Sequence, residues 1–188
     1  MGFFKKIKGI FTEDNKKISL EEAASIISER IVKISSSCSL EIKKECKNEP
    51  KRPELNNDRL LTIMIDFENF FLHTSYRISW KYLDKNNSQT FMDKLFDKNI
   101  NSRMKLLEKF NSKCSENFYE YKNKMIKNCN DFQDEYCQYN KDLFEKFGRK
   151  VSKDIGRPND IPLIMFSSEL SVSSLDYLDV KNVLLLCK

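Results

Sequence analysis

A stretch without glycine or proline, from Glu54 to Phe147, restricts the fold of this 188-residue chain more than any other feature. The chain has only four glycines and four prolines, and they lie near its ends or at two junctions. Sheets need frequent tight turns, and such turns rely on glycine for a positive φ or on proline for a fixed φ. The depletion therefore predicts an all-α protein of long helices with few reversals.

The composition predicts that these helices share a hydrophobic core. Hydrophobic residues make up 40% of the chain and include 14 Phe and 7 Tyr, which is too apolar for a disordered chain although 32% of residues are charged. The length suits one domain. We expect an antiparallel bundle of four to six helices over residues 18–188, with a loop or hinge at 48–58 and a second junction at 154–160. Residues 1–17 form a separate basic amphipathic segment.

The first helix of the bundle has a recognisable start. Ser19 and Glu22 match the capping-box pattern, in which the hydroxyl caps a backbone N–H and the carboxylate reaches back to the cap residue. Apolar residues at helical spacing continue the helix to about Lys47. Pro50 and Pro53 then predict the loop.

The densest apolar run, Leu60–Leu83, is expected to form the central helix. Asp58 is the predicted N-cap, the helix ends at Tyr82 or Asp84, and residues 84–89 form the following turn. Apolar side chains cover most of its circumference, a pattern typical of a helix buried on several sides.

Between residues 90 and 150, apolar residues recur every three or four positions, which is coiled-coil-like spacing. One long helix and a helical hairpin both fit this pattern, and the stripe can seal either a bundle or a dimer. Gly148 or Gly156 is expected to stop the helix, and Asp160 to cap the next one, with Pro162 in its first turn. The apolar C-terminal residues predict a last short helix packed on the central one.

The N-terminal residues 1–11 have a basic amphipathic pattern. On a helical wheel their apolar side chains share one arc and their lysines lie elsewhere: Phe3, Phe4, Ile7, Ile10 and Phe11 against Lys5, Lys6 and Lys8. A helix this short is marginal in water, so it either docks its phenylalanines into the core or lies on an anionic membrane surface. No run of about 20 apolar residues is present. We therefore expect a cytoplasmic protein, peripheral on the membrane when this segment binds.

The polar residues of the central helix are the candidate site. They step along one helix face so that each can reach its neighbour: Asp66, Asn69, His73, Arg77 and Trp80. Such a ladder can bind a small anionic ligand through Asp66, His73 and Arg77, or tune a proton-transfer group. The alternative, which we favour, is a hydrogen-bonded seam, with Arg77 on Trp80 and Asn69 on His73, that sets the helix register.

Catalytic chemistry finds little support in this sequence. With a single His, neither a di-metal carboxylate centre nor an H-E-x-x-H zinc site can be assembled. A phosphate-binding glycine loop and a nucleophile elbow are also lacking. The six cysteines form no C-x-x-C pair and are interpreted as free thiols. We expect no enzyme activity, no metal and no cofactor.

Nucleic-acid binding is disfavoured although the net charge is +5. Lys105, Lys109 and Lys113 align on one helix face, but acidic residues are interleaved with the basic ones, which is typical of a solvated face. The sequence therefore predicts a helical interaction or adaptor protein that binds a protein partner or itself.

Overall fold

A computed structural model describes residues 17–110 and 142–187, together with five single positions between 123 and 131. Residues 17–110 and 142–187 form five longer helices and one short helix, without any strand: α1 (Leu20–Asn48), α2 (Asn57–Tyr82), α3 (Lys85–Phe110), α4 (Leu143–Asp154), α5 (Ile161–Leu178) and α6 (Val180–Leu185). The all-α prediction is confirmed for this part of the chain. Residues 1–11 lie outside it, as does the segment that would distinguish one long helix from a hairpin within residues 90–150.

Helix α1 begins where the capping box predicted. The Glu22 N–H donates to Ser19 Oγ at 3.1 Å, and the Ser19 N–H donates to Glu22 Oε2 at 2.8 Å. The helix then runs for 29 residues to Asn48. Its long apolar stripe allows it to contact α2, α3, α5 and α6, so α1 shares the centre of the bundle with α2.

Two predicted boundaries around α2 and α3 are wrong. Asn56, not Asp58, caps α2, because its side-chain oxygen accepts a hydrogen bond from the Arg59 N–H at 2.9 Å. Residues 85–89 are helical, and the connection contains only Leu83 and Asp84. The Asp84 carboxylate accepts the Asn87 N–H at 2.9 Å, which starts α3 at once.

Helix α4 contains one of the two candidate stop residues and ends just before the other. Gly148 lies inside α4, whereas Gly156 follows its end with a φ of +86°, a conformation that favours glycine. Asp160 caps α5 as predicted, accepting the Leu163 N–H at 3.1 Å, and Pro162 lies in the first turn. The C-terminal helix α6 packs against α2, also as predicted.

Aromatic rings join α2 to α4 in the core. The Phe147 ring packs on Phe67 and Phe70, with centroid distances of 4.9 and 4.4 Å, and Phe144 packs on Phe70 at 5.6 Å. On the far side of α4, Gly148 allows a close approach to α5, since a Cβ atom at this position would collide with the Ile164 carbonyl oxygen. The residue before α1 is tied to the end of α6, because the Ile18 N–H donates to the Leu186 carbonyl at 3.1 Å.

Candidate functional site

The polar residues predicted to form a ladder on α2 are divided between the interior and the surface. The buried residues are Asp66, Asn69 and His73. Arg77 is partly exposed, and Trp80 is 41% exposed. The Trp80 ring meets the Tyr76 ring edge-on at 5.8 Å. Among the described residues, Asn69 Oδ1 has no hydrogen-bond partner. The five residues therefore follow one helix face but do not share one environment.

Asp66 belongs to a small ionic cluster that the sequence analysis did not find. Lys150 of α4 donates from Nζ to Asp66 Oδ1 at 2.6 Å and to Asp154 Oδ2 at 2.7 Å. Lys150 and Asp154 are one helical turn apart, and the spacing is visible in the sequence. Their proximity to Asp66 depends on how α2 packs against α4, which the spacing does not contain.

Burial determines the protonation of this cluster. It raises the pKa of Asp66 to about 8, against the opposing attraction of Lys150. Burial also opposes ionisation of Asp154, but contacts with Asp66 and Lys150 outweigh it and lower the pKa of Asp154. Burial opposes the charge of Lys150 as well, but Asp66 and Asp154 outweigh it and raise the pKa of Lys150.

His73 is neutral at physiological pH. Its side chain is fully buried, and burial together with the charge of Arg77 lowers its pKa to about 4. If the ladder binds an anion, His73 must therefore act as a neutral hydrogen-bonding group, and Arg77 must supply the positive charge.

A second ionic pair missed by the sequence analysis lies deeper between α2 and α3. Arg103 is 1% exposed and Glu68 is fully buried, and their side chains form two hydrogen bonds. One joins Nε to Oε2 at 3.2 Å. A sequence signal existed, because Glu68 falls within the apolar arc of α2 between Phe71 and Leu72 on the helical wheel, where an acidic residue requires a partner.

An open cavity of about 490 Å³ lies between the loop after α1 and the loop before α5. Arg52 lines it, but its guanidinium already donates to Glu45 Oε1 at 2.8 Å and to both carboxylate oxygens of Asp160 at 2.7 and 3.0 Å. These bonds raise the pKa of Arg52 above its usual value. These hydrogen bonds stabilise the junction of the two loops. The Arg52 guanidinium is thus already paired with carboxylates of the protein.

Within the described ranges, no group of three or more His, Cys, Asp or Glu side chains is arranged to hold a metal ion. Three cysteines there are free, and burial raises the pKa of the Cys38 thiol to about 12. None of the described helices is long and apolar enough to cross a membrane.

The most distinctive surface is one side of α5, which we call the α5 outer face and define by its exposed residues: Ile161, Pro162, Met165, Glu169, Val172, Ser173 and Asp176. Met165 is 57% exposed, Ile161 52% and Val172 47%, and these are three of the four most exposed large apolar side chains in the described residues. At about 100° per residue they fall within roughly 40° of each other on the helical wheel. They lie on one side of the helix, with Glu169 between Met165 and Val172.

No protein-family model, no curated protein and no solved structure matches this chain at a significant level. The class of protein is therefore defined by the structure itself, as an all-α bundle of packed helices. Its possible roles follow from the surfaces described above.

Proposed function

We propose that the protein is a non-enzymatic helical interaction protein and that the α5 outer face is its docking surface. The observation that supports this proposal is the exposure of Ile161, Met165 and Val172 on one side of the helix. Single exposed apolar side chains are common on soluble proteins, whereas several on one helix face are typical of a surface that contacts another molecule.

The inward side of α5 buries large apolar residues, Leu163, Ile164 and Leu178, together with several serines. The buried serines include Ser167, Ser171 and Ser174, whose hydroxyls donate to carbonyls of the same helix at 2.6 to 2.8 Å. Ser174 also meets Cys38 of α1 at 3.3 Å. A helix that serves only its own core turns its large apolar residues inward. In α5 other large apolar residues are exposed and available to a second surface.

The charges of α5 indicate what kind of partner fits. Glu169 and Asp176 lie on the outer face among the apolar residues, and the whole helix has no Lys or Arg, although the protein carries a net charge of +5. An amphipathic helical segment with basic residues beside its apolar side complements such a surface. We therefore propose a protein partner that presents a basic amphipathic helix.

A photoreactive amino acid at Met165 tests this role in cells that express the full chain. We expect adducts with another protein whose crosslinked peptide is amphipathic and basic, and we expect these adducts to be lost in the Glu169→Lys/Asp176→Lys variant. The same probe at Glu29, an exposed position on α1, is the matched control. The proposal fails if Met165 yields no such adduct, or if the adducts at both positions are the same.

The other hypotheses from the sequence remain predictions. Membrane contact through residues 1–11 concerns a segment outside the described residues. Anion binding at Asp66, His73 and Arg77 would have to use a neutral His73, given its pKa of about 4. Nucleic-acid binding remains disfavoured on the same sequence grounds.

A further inference from the structure

We infer that the α5 outer face is the docking site for the chain's own residues 3–11, so that the protein covers its docking surface with its N-terminal segment. This inference rests on the proposed docking role of the α5 outer face. Residues 3–11 bind there when no partner is present.

The place where the described chain begins makes this docking geometrically feasible. The Ile18 N–H donates to the Leu186 carbonyl at 3.1 Å, so the chain at Ile18, to which the N-terminal segment is joined, lies beside the end of α6. From Leu186 back to the end of α5 at Leu178 is eight residues, about 12 Å at helical rise. Residues 12–16, when extended, reach about 17 Å, which is enough to span this gap.

The lengths of the two surfaces also match. Residues 3–11 in helical form span about 12 Å, and the part of the α5 outer face from Met165 to Asp176 spans about 17 Å. The segment can therefore lie over Val172 and the two acidic residues without extending beyond the face.

The charge of this segment is a further observation that supports the docking. Residues 1–11 contain three lysines and no acidic residue, beside five Phe and Ile side chains. Residues 111–141, of which the structure describes only five positions, contain equal numbers of acidic and basic residues. The N-terminal segment therefore complements an apolar face that carries Glu169 and Asp176 and no cation. Residues 121–130 also contain three lysines and no acidic residue, so the crosslinked peptide must decide between the two segments.

Photocrosslinking of the purified full chain from position 165 tests the inference. We expect crosslinks from position 165 to peptides within residues 3–11, in a fraction that does not change on tenfold dilution, because the contact is within one chain. A mixture of ¹⁴N- and ¹⁵N-labelled protein should give no mixed-isotope adduct. The probe at Glu29 should give no crosslink to the segment.

A charge exchange shows whether complementarity carries the contact. Changing Lys5, Lys6 and Lys8 to Glu should lower the crosslinked fraction at least tenfold, and adding Glu169→Lys and Asp176→Lys should restore it. Lys33→Glu, which changes an exposed lysine of α1, should leave the fraction unchanged. An unchanged melting temperature verifies that each variant folds.

Four results would overturn the inference: adducts to residues 111–141, mixed-isotope dimers, no adduct with the segment, or failure of the charge exchange to restore the contact. A chain that sediments through residues 1–11 with vesicles of phosphatidylserine and phosphatidylcholine but gives no adduct would assign the segment to membranes instead. If position 165 captures a basic partner in cells while the purified chain gives no internal adduct, the inference fails and the proposed function stands. The converse pattern rejects the proposed function alone.

Discussion

Replacement of Arg103 by Met should destabilise the protein strongly although it keeps the bulk of the side chain. Among the described residues, Arg103 is the one that hydrogen bonds to the Glu68 carboxylate, and Glu68 is fully buried. Without the guanidinium, a carboxylate remains in the core between α2 and α3. Breaking a buried ion pair from one side typically costs about 3–5 kcal/mol. For a chain of this size that corresponds to a fall in Tm of roughly 6–20 °C.

Urea unfolding followed by far-UV circular dichroism measures this loss, by linear extrapolation to water. The double variant Glu68→Leu/Arg103→Met should recover most of the stability, because it removes both charges from the core. Lys105→Met, an exposed position on the same helix, removes the same charge and should change the free energy of unfolding by less than about 0.5 kcal/mol. A loss below about 1 kcal/mol for Arg103→Met, or a double variant less stable than the single one, would refute this reasoning.

Three further predictions concern the interior. Gly148→Ala should cost about 1–3 kcal/mol despite the higher helix propensity of Ala, because the new Cβ would collide with α5, and a higher Tm would contradict this. Because folding lowers the pKa of His73 to about 4, its unfolded form takes up a proton first, so stability falls by up to about 3 kcal/mol as the pH drops from about 6.5 to 4. In unfolding measurements at pH 7 and pH 4.5, His73→Gln should lose less stability between the two pH values than the unmodified protein. An equal loss in both proteins would argue against this. Asn99→Leu should raise stability by about 1 kcal/mol in urea unfolding, since the buried Asn99 amide has no hydrogen-bond partner among the described residues; destabilisation would count against this.

Helix starts were predictable where one side chain satisfies its own backbone. The Ser19 capping box and the Asp160 cap are contacts over three residues, so they are visible in the sequence. The same local logic was wrong at Asp58, because Asn56, two residues earlier, offers an equivalent cap, and at residues 84–89, because Asp84 starts α3 directly. Nearby residues of similar capping ability compete, and the packing of the helix decides between them.

The candidate site was less predictable than the fold. Helical spacing placed Asp66 and His73 on one face of α2, and the structure keeps them there. It also pairs Asp66 with Lys150, which lies 84 positions away in sequence. Spacing within one helix states the angle of a side chain around that helix and contains nothing about the neighbour that the side chain meets.

The same distinction separates what the amino-acid order specifies from what tertiary packing adds. Glycine and proline depletion, apolar periodicity and local caps specify helices and their approximate ends, since each acts within a few residues along the chain. The burial of Glu68 with Arg103 and the sharing of Lys150 by two carboxylates depend on contacts between helices. The orientation of α5 does too: its apolar and small residues lie all around the helix, so its own pattern has no strongly preferred side. The fit against α1 and α4 buries the serines together with Leu163, Ile164 and Leu178 and leaves Met165 and Val172 exposed.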